Sequence, residues 1–207
     1  MVCAIVLVMA KLSGFERWWL NAWPHRWHVR RFVPKLLKAC PEPFRGEVLE
    51  VGAGSGWSSR RILDTFPQVE LTATDVDPRS IGSFEKLRGQ YGQRLIFKQA
   101  NLMKLPFDRG AFDVVLAIHV LHYAYDLRGG IRQFIRVVRP GGLLGLSDVN
   151  PKYQRGPFSN LFSASSMPTR KLLEEMLIEE GCEILSSHGE LHYYIWARKP
   201  YPITPGS

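Results

Sequence analysis

Glu50-Val51-Gly52-Ala53-Gly54-Ser55-Gly56, an acid followed by three alternating glycines, is the stretch of this chain best suited to chemistry. Glycine lets a backbone turn tightly and lie against a ligand, because a Cβ would block both the dihedrals and the approach. Further on, the apolar run Glu70-Leu71-Thr72-Ala73-Thr74-Asp75 ends in a carboxylate. A glycine loop after one strand and an acid at the tip of the next make a nucleoside site, the acid accepting from ribose hydroxyls. Spacing separates the candidate nucleosides. The dinucleotide fingerprint Gly-x-Gly-x-x-Gly keeps its third glycine for close helix–strand packing. Here Gly56 comes one position early, and Trp57 stands where that glycine would be. Glu50 would also repel a pyrophosphate. A cationic ligand suits it better, which leaves a nicotinamide oxidoreductase as the weaker reading.

Two more groups of residues invite chemistry. Gln99-Ala100-Asn101-Leu102 offers a polar side chain beside an apolar one. His119, His122 and Tyr123 follow the apolar run Ala111 to Ile118. An imidazole that titrates near neutrality can take a proton from a hydroxyl, an amine or an acidic carbon. The plainer alternative is that one or both histidines cap or pack the turn.

These residues need elements to hold them. Strands are expected near 47–51, 70–75, 95–100, 112–118 and 143–149, alternating with helices, so the chain reads as α/β with a mostly parallel sheet covered on both faces. A helix after Asp126 carries Leu127, Ile131, Phe134, Ile135 and Val138 on one face, with Pro140-Gly141-Gly142 as its expected stop. A second helix starts at Thr169 and stops at Gly181, and Cys182 to Arg198 reads as two strands around His188-Gly189-Glu190. The length suits one domain. Cys3, Cys40 and Cys182 have no metal-like spacing and argue for a reducing compartment without a disulfide framework.

The pattern Glu-x-Gly-x-Gly-x-Gly resembles the first motif of the class I S-adenosylmethionine-dependent methyltransferases, whose cofactor carries a sulfonium and an ammonium group. The resemblance continues in order from about Val48 to Pro200: Thr74-Asp75-Val76-Asp77-Pro78, Gln99 to Phe107, Ala111 to Tyr123, and Arg136-Val137-Val138-Arg139-Pro140-Gly141-Gly142. It implies a Rossmann-like three-layer sandwich with a seven-stranded sheet closed by a C-terminal antiparallel hairpin. It also implies a cofactor set of Glu50, Gly52, Ala53, Gly54 and Gly56 in the loop, and Asp75 with Val76 at the ribose. Asn101 and Leu102 would stand at the adenine, and Ala117 and Ile118 along the methionyl part. Asn101 departs from the family's usual Asp; its carbonyl oxygen can still accept from the adenine amine. His119 and His122 fall where the family faces its substrate, as catalytic candidates beside Tyr123. The turn lacks the Asn/Asp-Pro-Pro-Tyr/Phe arrangement of exocyclic-amine base methylation, and no Pro-Cys pair is present.

The resemblance therefore implies methyl transfer to an O, N or C acceptor on a small or lipophilic molecule, in the cytoplasm. The alternatives are a non-catalytic S-adenosylmethionine-binding sensor domain and action on nucleic acid or protein. Residues 150–168 hold Tyr153, Arg155, Phe158, Leu161 and Phe162, an aromatic and partly cationic connection suited to shaping the acceptor pocket. Residues 1–46 are set apart from the domain at 47–207. They carry eight basic residues against Glu16 and Glu42, and Trp18, Trp19, Trp23 and Trp27 as well. Such a segment suits a lid over the cofactor, an anionic membrane surface met through residues 11–38, or nucleic acid. The apolar start ends at Lys11, short of a spanning length, and Met9 is an alternative first residue to Met1.

Overall fold

The computed structural model describes residues 23–42, 45–153 and 167–202. Helix α1 (Trp23–Lys38) precedes β1 (Gly46–Val51), α2 (Trp57–Thr65), β2 (Val69–Asp75), α3 (Ile81–Tyr91) and β3 (Leu95–Gln99). The chain continues through β4 (Phe112–Ile118), α4 (Leu127–Val137), β5 (Val138–Val149), α5 (Arg170–Glu179), β6 (Glu183–His188) and β7 (His192–Arg198). The seven strands form one sheet in the order β3-β2-β1-β4-β5-β7-β6. Only β7 runs antiparallel to its neighbours.

The burial pattern explains the pairing. Val48, Leu49, Glu50 and Val51 are all buried, as are Val114 to Ile118, and such runs belong in the centre of a parallel sheet covered on both faces. One face packs α1, α2 and α3 through Val33, Leu36, Leu37, Ile62, Leu63 and Phe84. The other packs α4 and α5 through Ile131, Phe134, Val137, Leu173 and Leu177. Trp196 is fully buried, and its Nε1–H donates to the Leu36 carbonyl at 2.9 Å, which fastens α1 to the domain. The Ser186 hydroxyl donates to the Ala39 carbonyl at 3.2 Å, and Arg198 pairs with Glu42.

Capping follows the sequence in α4 and α5. Asp126 accepts from the Gly129 N–H at 2.9 Å, and the Thr169 hydroxyl accepts from the Leu172 N–H at 3.2 Å. One expected boundary is corrected. Helix α4 stops at Val137, before Pro140-Gly141-Gly142, and β5 begins at Val138 instead of near 143. Val138 pairs with Phe112, and the register then shifts before Val114 meets Leu143. The two glycines lie inside that irregularity, where Gly141 and Gly142 exchange hydrogen bonds with Lys199. The Lys199 ammonium in turn donates to the Ile135 and Val138 carbonyls at 2.7 Å, so it caps the helix from outside.

Candidate active site

The loop after β1 is tied down by its neighbours. Gly52 and Ala53 N–H groups both donate to the Thr74 carbonyl, at 2.8 and 2.9 Å. Gly54 N–H donates to Asp75 Oδ2 at 2.7 Å, while Asp77 N–H donates to Oδ1 at 2.8 Å. The half-buried Asp75 carboxylate is thus fixed by two backbone donors at the tip of β2, and each oxygen keeps a lone pair for ribose. Burial raises its pKa, and these N–H groups only partly offset that. Val76 follows at the same strand end, its carbonyl held by the Gln99 amide.

The three glycines have different reasons to be there, although all have positive φ. A Cβ on Gly52 would strike the Val120 side chain, and one on Gly56 would come 2.5 Å from Leu87 Cδ1. A Cβ on Gly54 would meet nothing within 4 Å. The outer two pack the loop onto the protein, and the middle one borders open space where a ligand can approach the backbone.

Glu50 has almost no exposed surface. Its Oε2 accepts the Ser59 hydroxyl, while Oε1 has no partner among the described residues. Burial pushes the carboxyl up to about 7, the Ser58 and Ser59 hydroxyls pulling it down and Asp75 adding to the rise. A buried carboxylate oxygen without a donor is costly unless a cation or donor reaches it. That orphaned oxygen fits a cofactor with an ammonium and a sulfonium, and it is hostile to phosphate.

The adenine end agrees less fully with expectation. Asn101 Oδ1 accepts from the Met103 N–H at 2.9 Å, and its second lone pair suits the adenine amine. The Leu102 side chain is buried in the core, against Gly130 of α4. It therefore has little surface to lay over a ring, because the apolar space beneath α4 claims it first.

The acceptor side leaves from the next strand. β4 pairs with β1 through Val51 and Ala117, so the turn after the buried Ala117 and Ile118 faces the glycine loop, with Val120 packed against Gly52. His119 has a φ of 53°, in the left-handed region that non-glycine residues seldom occupy, and its N–H donates to the Ser147 carbonyl at 2.8 Å. Its ring lies 5.6 Å from that of His192, which stacks at 3.7 Å on Phe32 of α1. His119 thus belongs to a three-ring wall that joins β4, β7 and the amino-terminal helix.

His122 is placed differently. Its Nδ1 lies 2.9 and 3.0 Å from the two oxygens of Asp148, which is fully buried at the end of β5. Burial alone would raise the Asp148 pKa; the electrostatic pull of the nearby His122 and His119 rings and the hydrogen bonds from His122 and the Val149 N–H outweigh it and hold the carboxyl low. A carboxylate on Nδ1 fixes the tautomer that leaves Nε2 as the basic nitrogen. Tyr123 sits at the surface with its ring 4.1 Å from that of His122. Asp148 and the Phe32–His192 stack were not singled out from the sequence. An acid closing the apolar run Leu143 to Leu146, as Asp75 closes β2, was the available signal for the first. Tyr153 lies in the short turn Pro151–Tyr153, whereas Arg155, Phe158, Leu161 and Phe162 fall outside the described residues.

A cleft of about 770 Å³ opens at the other end of the strands, lined by Phe66, Arg139, Gly141 and Tyr201. Arg139 there is paired with Asp113 at 2.5 Å, and none of the loop or histidine residues reaches it. Among the described residues no group of three or more His, Cys, Asp or Glu side chains is arranged to hold a metal ion.

A glycine cradle, a buried acid lacking a cation, a ribose-type carboxylate and this strand order define the nucleoside-binding methyltransferase fold. Residues 49–146 match the family model described as a methyltransferase domain. An O-methyltransferase, resE, of Aspergillus sclerotiorum is 33% identical over 148 residues, spanning 67% of this chain and 55% of that protein. Polyketide synthase 19 of Gibberella fujikuroi is 35% identical over 114 residues, 51% of this chain and 4% of that one. Among solved structures, the [4+2]-cyclase SpnF superposes with a TM-score of 0.71 at 19% identity, covering 83% of this chain and 81% of its own. The chain spans little more than half the length of resE and a small part of the synthase. Residues 49–146 therefore form a methyltransferase domain of the class I S-adenosylmethionine-dependent type, and that match indicates S-adenosylmethionine as its cofactor.

Proposed function

We propose that this chain methylates a hydroxyl or an acidic carbon of a small, lipophilic acceptor, with His122 as general base and Asp148 as the residue that positions it. The His122–Asp148 pair carries this reading. The bound cofactor supplies a methyl group on a sulfonium, and the transfer is an in-line displacement. Glu50, Asp75 and the loop hold the donor in place, and the turn after β4 brings the acceptor alongside. His122 Nε2 takes the acceptor's proton as its bond to the methyl forms, and the Asp148 carboxylate stabilises the imidazolium that results. His119, held in its ring stack, shapes the wall. Amine acceptors, which need less help from a base, come second. The O-methyltransferase among the relatives supports an oxygen acceptor.

The test is formation of S-adenosylhomocysteine across a panel of phenols, aliphatic hydroxyls and acidic-carbon compounds, with wild type, His122→Gln and Asp148→Asn. Turnover that depends on both residues supports the reading. Wild-type turnover that His122→Gln leaves unchanged would overturn it.

A further inference from the structure

The two helical faces of the sheet differ in charge. On α4 and α5 the charges meet one another: Arg128 pairs with Glu179 at 2.5 Å, Arg132 with Glu180 at 2.7 Å and Lys171 with Glu175 at 3.6 Å. On the opposite face α1 exposes Arg31, Lys35 and Lys38. Next to it α2 exposes Arg60 and Arg61, and α3 exposes Lys86 and Arg88. Setting Arg31 aside, two exposed carboxylates, Asp64 and Glu85, stand against the other six cations. Asp64 is itself paired with Arg60, at 3.8 Å. The excess is therefore a property of one face and not of the chain at large.

The direction of α1 adds a second observation. Phe32 rests on His192, where β7 begins beside Val149 at the acceptor end of the sheet. Leu36 and Ala39 then take hydrogen bonds from Trp196 and Ser186, farther down the strands. The helix thus runs from the acceptor rim toward the opposite end, and its first nine residues, roughly 13 Å of helix, lie on the rim side of Phe32. That stretch opens with Trp23 and contains Trp27, and Trp18 and Trp19 precede it in the sequence.

We propose that the α1–α2–α3 face docks on an anionic lipid surface, with the tryptophan-bearing start of α1 at the headgroup level. Lysine and arginine next to anionic headgroups each contribute attraction, and indoles favour the boundary between water and hydrocarbon. The acceptor opening then meets the bilayer, which suits a lipophilic acceptor; that last point rests on the proposed function, and the docking does not. A single-stranded nucleic acid fits less well. Its binding sites set a row of open aromatic platforms among the cations, whereas the rings of α2 and α3 are part-buried (Trp57, Tyr91) or buried (Phe84). Among the described residues no helix is long and apolar enough to cross a membrane.

Co-sedimentation of the full chain with phosphatidylcholine vesicles, and with vesicles in which about a quarter of the lipid is phosphatidylglycerol, tests this. Two variants each remove three exposed cations. Lys35→Gln/Lys38→Gln/Lys86→Gln alters the docking face, and Lys104→Gln/Arg109→Gln/Lys171→Gln alters other surfaces. Calorimetric binding of S-adenosylhomocysteine, measured on every protein, confirms the fold independently of any acceptor. The expected result is binding to the anionic vesicles alone, weakened on the order of 100-fold in the first variant and by less than about 3-fold in the second. Equal loss in both variants, or no preference of the wild type for anionic lipid, overturns the proposal. So does retention on heparin or RNA without vesicle binding, which would give the face to a soluble polyanion.

Discussion

Replacing Glu50 by glutamine separates the electrostatics of the cofactor loop from its shape. The carboxyl is buried, has one oxygen on Ser59 and one without a partner, and titrates at about 7 against an ordinary 4.5. Because the folded value lies above the unfolded one, the folded chain holds this proton more tightly. The stabilisation is complete below about pH 4.5 and is lost as the pH rises toward 7. Two and a half units correspond to about 3 kcal/mol at most. Glutamine stays neutral and can still accept from Ser59, so urea unfolding of the cofactor-free protein should show little difference near pH 4. By pH 8 the variant should be the more stable by up to about 3 kcal/mol, reduced by whatever its extra N–H groups leave unsatisfied. Affinity for S-adenosylmethionine should move the other way, falling about 10- to 100-fold at pH 8 as a charged hydrogen-bond acceptor is lost. A stability difference that is the same at pH 4 and pH 8 would refute the titration argument. Undiminished cofactor affinity would refute the claim that the orphaned oxygen faces a cation.

Other outcomes follow from the same geometry. His122→Gln should lower turnover about 10²- to 10⁴-fold with S-adenosylhomocysteine affinity unchanged, and Asp148→Asn should shift the pH–rate profile as well as the rate. Gly52→Ala should fail to fold stably, since its methyl meets Val120. Gly54→Ala, with open space before it, should cost roughly 1–2 kcal/mol for its left-handed backbone and yet abolish cofactor binding, a contrast readable by thermal melting with and without ligand. Trp196→Phe removes one of the two donors to the Leu36 carbonyl, which keeps the Ala39 N–H, and should cost roughly 0.5–1.5 kcal/mol, with faster proteolysis within α1 as the readout.

Local residues announce much of this molecule. β1 and β4 are legible as buried runs, Asp126 and Thr169 as caps, and the glycine loop with Asp75 as a nucleoside site, because each signal lies within a few adjacent residues. The misplaced start of β5 has a tertiary cause. Pro140-Gly141-Gly142 reads locally as a helix stop, yet Val138 is already claimed by Phe112 and the glycines by Lys199. Leu102 has the right type for covering a ring, but the space under α4 takes its side chain. The Asp148–His122 contact and the Phe32–His192–His119 stack join segments from 26 to more than 150 residues apart, and no local pattern forecasts such meetings. The cationic face is hidden for the same reason: its members come from three helices that only the fold sets side by side.

The strand order reverses between β1 and β4, and that reversal divides labour along the chain. The residues placed to hold the donor come from the chain up to Ile118, and everything proposed to meet the recipient comes from residues after it or from the amino-terminal helix. Descendants of such a chain can therefore exchange the second half, or trade its leading segment, and inherit the first intact. A lineage built this way diversifies by changing what it decorates while keeping the same methyl supply.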